Sequence, residues 1–377
     1  MLTRRGAVGL MMAALALTGS VACHTVPGGP GPRPAVRINE IQVLGTHNSY
    51  HVQPEPTLLA ALRSFLGPEA DGFEYTHRPL VDELDAGVRQ LELDVFLDDP
   101  PGGLYAAPKL VPALGLAAPD PRLAGPGLKV LHVQEVDYRS TCPTFVDCLT
   151  QVRAWSDAHP HHLPITIQVE AKDDAIPDPG FGFVVPPAWT AEGFATLESE
   201  IRSVFDAGRI ITPGEVRGGH RTLPDAVRAH RWPSLTTARG RVLFVLDDGG
   251  AKRAAYRALH PDLADRLVFV SAAPPDDDAG IVVVNDPVGD AERIRTLVAD
   301  GFIVRTRADA DTVQARSGDT RQREAAWASG AQYVSTDYPF PEEGFGTGYV
   351  VTVPGGGVAR CNPISARPSC RLTTLRG

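Results

Sequence analysis

Along most of the chain, short apolar runs alternate with stretches whose apolar residues recur every three or four positions. The runs 38–45, 90–96, 128–133, 165–170, 242–246, 267–271, 302–306 and 332–336 have the length and composition of strands. Helical period is clearest over 143–158, where Phe145, Cys148, Leu149 and Val152 share one face. The segments 191–206, 251–259, 290–299 and 320–329 follow the same pattern. Strands alternating with helices about eight times predict an α/β fold, a TIM-like (β/α)8 barrel, over residues 38–345, with 346–377 as a C-terminal extension. Two stretches interrupt the repeat. Asp98–Gly127 is rich in Pro, Gly and Ala, Asp173–Thr190 is rich in Pro, and both read as long loops. The apolar run Ile281–Val284 is surplus to the eight, either an additional strand or part of the sixth unit.

Polar residues sit where these runs end. The first run closes in Gly45-Thr46-His47-Asn48-Ser49-Tyr50, the third at His132 and the fourth at Glu170. The second carries Glu92 and Asp94, which a side-chain period of two places on one face. Four parallel strands ending together would gather two imidazoles, three carboxylates and an amide around one point. Two carboxylates on one face of an apolar strand repel each other and are costly to bury unpaired. A hard cation, calcium or magnesium, is one remedy; a buried arginine is the other. Lys172 lies on the same side as Glu170, where a simple ion pair is the plain alternative to a functional role. Arg305 and Arg307 share a face of the seventh run, and Asp337-Tyr338 follow the eighth. They are either rim salt bridges or a grip on a phosphate and a ring. His51, His161 and His162 lie off the strand ends and receive no role, and Asp247–Gly250 reads as a turn.

The 377 residues are 43% hydrophobic, enough for a sizeable core. A net charge of -9 argues against nucleic acid as a partner and against permanent electrostatic docking on anionic lipid. Residues 1–22 have the short basic start, apolar stretch and small residues of a signal peptide. Cys23 follows at once, as lipidation requires, so the exported product is either lipid-anchored or freely secreted. Residues 23–37 are Pro/Gly-rich and read as a tether. In an oxidising compartment the remaining four cysteines suggest two local disulfides, Cys142 with Cys148 and Cys361 with Cys370. Six residues of straight helix would hold the first pair about 9 Å apart, so Cys142 must curl back over a helix start.

The motifs Leu44–Tyr50, Leu91-Glu92-Leu93-Asp94-Val95, Leu131-His132, Val169-Glu170-Ala171-Lys172, Val304–Asp309 and Gly330–Pro339 resemble, in that order, calcium-dependent phosphatidylinositol-specific phospholipase C of the small secreted bacterial type. The resemblance implies a single catalytic domain with a TIM-like barrel and Ca2+ at its mouth. By analogy Asn48, Glu92, Asp94 and Glu170 are metal ligands. His47 stabilises the charged transition state, His132 protonates the leaving alkoxide, and Glu92 or another ligand carboxylate is the base. Lys172, Arg305, Arg307 and Tyr338 are candidate substrate contacts. The implied reaction cleaves phosphatidylinositol at a membrane surface to diacylglycerol and a cyclic inositol phosphate, by a monomer. Two alternatives remain: a glycerophosphodiester phosphodiesterase, whose His-Arg-Gly is replaced here by His47-Asn48-Ser49, and a non-catalytic surface lipoprotein that binds inositol lipid.

Overall fold

β-Branched and leucine-rich runs, buried on both faces, are what a parallel barrel covered by helices requires. The computed structural model describes residues 35–98 and 102–371, so the signal peptide, Cys23 and most of the tether lie outside the described residues. Ten strands form the sheet: β1 (Ile41–Thr46), β2 (Gln90–Phe96), β3 (Lys129–Val130), β4 (Ile165–Lys172), β5 (Val242–Leu246), β6 (Val268–Val270), β7 (Ile281–Val283), β8 (Ile303–Arg307), β9 (Tyr333–Thr336) and β10 (Ala359–Cys361). Eight of them run in the order β6-β5-β4-β2-β1-β9-β8-β7, parallel throughout, and β3 and β10 pair off this path. A parallel bridge from Ser271 to Ile281 joins the two ends into a barrel.

The eight-membered barrel differs from the predicted set at one place. The run 128–133 supplies only β3, which pairs antiparallel with the end of β2 through Val95–Val130 and Phe96–Lys129. The surplus run Ile281–Val283 makes up the eight from another place, between β6 and β8. The reason is connectivity. A parallel return needs a crossover of a dozen or more residues, usually helical. The helix Phe145–Ala158 comes after β3, not before it, so the chain completes its crossover only at β4, which lies directly beside β2.

That helix buries Phe145, Cys148, Leu149, Val152 and Trp155, and the Thr144 hydroxyl caps it by accepting from the Asp147 amide. Cys142 precedes the cap on a chain that bends back, and it is joined to Cys148 with Cα atoms 5.1 Å apart. Cys361 is joined to Cys370. Residues beyond 345 return to the barrel: β10 runs antiparallel to Ile41–Val43. It fills a place that β2 leaves free by meeting β1 only at Gly45. The other predicted helices appear within a few residues of their expected ends, as Ala191–Val204, Gly250–Arg257, Ala291–Ala299 and Arg321–Ala328. Among the described residues, no helix is long and apolar enough to cross a membrane.

Alternation decides what faces the barrel axis. Leu91, Leu93 and Val95 point outward into the apolar layer, and Gln90, Glu92 and Asp94 point inward. Gly45 is level with Gln90; a Cβ there would lie 2.0 Å from Gln90 Oε1. The upper interior is therefore polar, and all the parallel strands deliver their C-terminal ends to it.

Candidate active site

The turn after β1 is held from below. Thr46 donates to Glu83 Oε2 at 2.7 Å and shares a 2.7 Å hydrogen bond with the Ser49 hydroxyl. Ser49 Oγ accepts from the Glu92 amide at 2.8 Å, and the Ser49 amide donates to the Glu92 carbonyl. Asn48 adopts a left-handed conformation, φ 45°, which Asn tolerates better than most side chains. Its Nδ2 donates to Tyr75 Oη at 3.1 Å, which leaves Oδ1 buried with no partner.

Beside Asn48 lie the inward carboxylates. One oxygen each from Glu92, Asp94 and Glu170 falls within 4.8 Å of the others. Asp94 is level with Glu170 across β2 and β4. Neither carboxylate oxygen of Asp94 has a hydrogen-bond partner; its nearest cation is Lys172 Nζ at 3.4 Å, which also lies 3.1 Å from Glu170 Oε1. Burial, then Glu170 and Glu92, push the Asp94 carboxyl well above the ordinary range against the pull of Lys172. Burial also raises Glu92, against Arg305. Lys172 goes the other way: burial would lower it, but Asp94 and Glu170 raise it. Two orphaned carboxylate oxygens, an orphaned amide oxygen and crowded negative charge are the donor set of a hard, oxygen-seeking cation. The residues present fit calcium.

Both remedies named for the strand carboxylates are present. Arg305 is 1% exposed and pairs with Glu92, Asn285 and Ser335. That places it beneath the site as a partner of Glu92, not as an open phosphate clamp. Arg307 donates to Asp337 Oδ2 at 3.1 Å and lies 3.4 Å from His47 Nε2. Tyr338 is buried, its hydroxyl has no partner, and it lines a cavity of about 630 Å³ together with Asp337, Tyr75 and Arg78.

The two imidazoles sit in unlike surroundings. His47 Nδ1 donates to Asp337 Oδ1 at 2.8 Å, and its Nε2 lies 3.9 Å from Glu92 Oε1. Burial and the nearby Arg307 hold the His47 pKa well below its usual value, despite Asp337. Burial alone would raise Asp337, but His47 and Arg307 outweigh it and keep it well below the carboxylate range. His132 does not arrive at the end of a parallel strand, as expected. It follows β3 in a tight loop closed by hydrogen bonds from the His132 and Val133 amides to the Asp137 carbonyl. Its Nδ1 donates to Asp137 Oδ2 at 2.7 Å, and its side chain is 22% exposed.

Sequence reasoning missed four residues here. Asp137 and His51 belong to the His132 side. Asp247, read as a turn residue, is buried, accepts from Gln168 Nε2 at 2.8 Å and is pushed up to about 7 by burial and by Glu92. Asp309 accepts from the Asp337 amide at 2.9 Å and is pushed up to about 6 by burial and by Asp337. The position of Asp247 at the end of a strand was the one available signal.

A barrel whose polar mouth gathers carboxylates and two carboxylate-held imidazoles defines a metal-dependent phosphodiesterase. Residues 36–363 match the family model "Phosphoinositide phospholipase C, Ca2+-dependent", and the chain belongs to that family. It is an enzyme that cleaves phosphatidylinositol and requires calcium. Among solved structures, a Ca2+-dependent phosphatidylinositol-specific phospholipase C from Streptomyces antibioticus is similar at 20% identity and TM-score 0.51, over 80% of this chain and 95% of that one. A calcium-dependent phosphoinositol-specific phospholipase C from Pseudomonas sp. is similar at 18% identity and TM-score 0.51, over 86% and 95%. These likenesses establish the barrel fold. A search of curated proteins gives no match. Family membership decides against the glycerophosphodiesterase and the non-catalytic lipoprotein.

Proposed function

We propose that the enzyme cleaves phosphatidylinositol by intramolecular attack of the inositol 2-hydroxyl on the phosphorus, releasing diacylglycerol and a cyclic inositol phosphate. The observation that carries this reading is the pairing of the carboxylate cluster with two imidazoles, each oriented through Nδ1 by its own buried aspartate. Asn48, Glu92, Asp94 and Glu170 would hold calcium, which supplies positive charge at the phosphate and acidifies a hydroxyl beside it. Glu92, the ligand carboxylate nearest His47 and held by Arg305, takes the proton of the nucleophile. The negative charge of the phosphate offsets the burial and the Arg307 repulsion that lower His47, so that His47, protonated on both nitrogens, and Arg307, both braced by Asp337, stabilise charge on the phosphoryl oxygens. Lys172 and Tyr338 contact the headgroup. His132, as an imidazolium with its Nδ1–H given to Asp137, presents Nε2–H to the leaving diacylglycerol oxygen, protonates it and is left neutral.

Attack from within the substrate makes the bond-forming step unimolecular, with the high effective molarity of an oriented pair. General acid catalysis is worth roughly 100- to 10,000-fold. His132→Ala should therefore lose about that much on phosphatidylinositol and recover on an inositol phosphodiester with a nitrophenol leaving group, whereas His47→Ala should not recover. Equal losses for both variants on both substrates would contradict this division of roles.

The reaction takes place at a lipid surface. Phe65, 79% exposed, and Leu66 close the helix between β1 and β2, while Phe181 and Val185, 70% exposed, lie between β4 and the next helix. All four belong to connections that leave the C-terminal ends of barrel strands, and they are the exposed apolar side chains proposed to meet lipid. Two disulfides and the leader-like start support export, followed by action as a monomer that is either secreted or anchored through Cys23.

A further inference from the structure

The Asp137 carboxylate serves a second imidazole. His51 is fully buried, and its Nε2 donates to Asp137 Oδ2 at 2.7 Å, the same oxygen that accepts from His132 Nδ1. The other oxygen, Oδ1, is buried without a partner. Nothing besides these two rings fixes the rotation of the carboxylate, and one of them, His132, is partly open to solvent. His51 is fixed on every side. Its ring stacks on Tyr75 with centroids 4.1 Å apart, and Tyr75 Oη accepts from Asn48 Nδ2. Its amide donates to the Asn48 carbonyl, and its carbonyl accepts from the His77 amide. A rigid chain of contacts therefore runs from the Asn48 turn through Tyr75 and His51 to Asp137 and out to His132.

We infer that His51 is a positioning residue for His132: it pins the shared oxygen of Asp137 so that the His132 ring keeps its Nδ1–H on Asp137 and turns its Nε2–H toward the leaving oxygen. The inference rests on the reading of His132 as the general acid. A buried donor at 2.7 Å needs a fixed acceptor, and the acceptor gains a fixed donor. Without His51, Asp137 rotates toward its unpartnered side and the His132 ring loses its alignment. Misplacing a reacting group by about 1 Å costs on the order of 100-fold.

Two variants of the whole enzyme test it. His51→Phe keeps a ring against Tyr75 and removes the donor; His51→Gln keeps a donor at a similar reach. His51→Phe should lower kcat on phosphatidylinositol by about 10- to 100-fold, with KM within about threefold of wild type. On the nitrophenol substrate, which needs no proton from His132, the loss should fall below about threefold. His51→Gln should recover most of the kcat. A loss of equal size on both substrates, or no loss on either, would overturn the inference. If His132→Ala fails to recover on the nitrophenol substrate, the acid assignment itself fails; if it recovers while His51→Phe does not, only the positioning role fails. Should His51→Phe not fold, nitrogen-15 imidazole spectra of the wild type decide. A His51 with its proton on Nε2 and a His132 that keeps its Nδ1 proton whether or not Nε2 is protonated are expected, and a His51 protonated at Nδ1 alone would overturn the inference.

Discussion

Asp94 shows most clearly how the residues of this mouth trade stability for chemistry. It is buried, neither oxygen accepts a hydrogen bond, and its pKa is driven up by burial and by two neighbouring carboxylates. Replacing it with the isosteric Asn removes one ligand charge and one repulsion together. Asp94→Asn should raise the calcium concentration for half-maximal activity on the order of 10- to 100-fold, since ligand charge sets calcium affinity. The calcium-free variant should melt no lower than the calcium-free wild type, because relief from burial of the charge and from repulsion by Glu170 and Glu92 offsets the lost 3.4 Å pairing with Lys172. An unchanged calcium titration, measured alongside thermal unfolding, would remove Asp94 from the ligand set. The carboxylate face was legible in the sequence because period two on a strand is a local rule, and Glu92 and Asp94 obey it. Asp137 and His51 were not legible. They meet across 86 residues through a loop closure and a bridge from His51 to Ser140, neither of which leaves a periodic trace. The burial of Arg305 was also hidden, since the same spacing fits an open clamp and a buried partner.

At the level of elements, the apolar runs located every barrel strand but misjudged which eight close the barrel. Length and burial distinguish strands from loops, yet β3, two residues, and β7, three, are both short pieces of apolar runs, and the position of the crossover helix tells them apart. The consequence is functional: the antiparallel β3 brings His132 to Asp137 and His51, beside the β1 turn that carries His47, without a parallel strand end to hold it. The packing of β1 on β2 is equally strict. Gly45→Ala would press a methyl group against a fully buried Gln90 whose own Cβ lies 3.0 Å from the added atom. Overpacking of this kind costs about 1–3 kcal/mol. The variant should lose that much in denaturant unfolding, and with it part of the alignment of the His47–Asn48 turn. A midpoint equal to wild type would mean that Gln90 moves aside freely.

For the whole molecule, a net charge of -9 argues against strong electrostatic adhesion to anionic membranes, so the proposed lipid contact rests on the exposed Phe65 and Phe181. Replacing Phe65 and Phe181 with Ser should weaken binding to phosphatidylcholine vesicles and slow turnover of vesicular phosphatidylinositol. Turnover of a short-chain monomeric phosphatidylinositol should be unaffected. Equal loss on both substrates would show that these side chains serve folding instead. The account as a whole turns on the nucleophile. In the proposed mechanism the substrate carries its own nucleophilic hydroxyl, which leaves no task for water in the first step. Phosphorus NMR of the earliest turnover on phosphatidylinositol tests this most directly. The account predicts a cyclic inositol phosphodiester as the first product and no turnover of a lipid whose 2-hydroxyl is methylated. Acyclic inositol phosphate alone at the earliest times, with solvent oxygen incorporated from the methylated lipid, would contradict it.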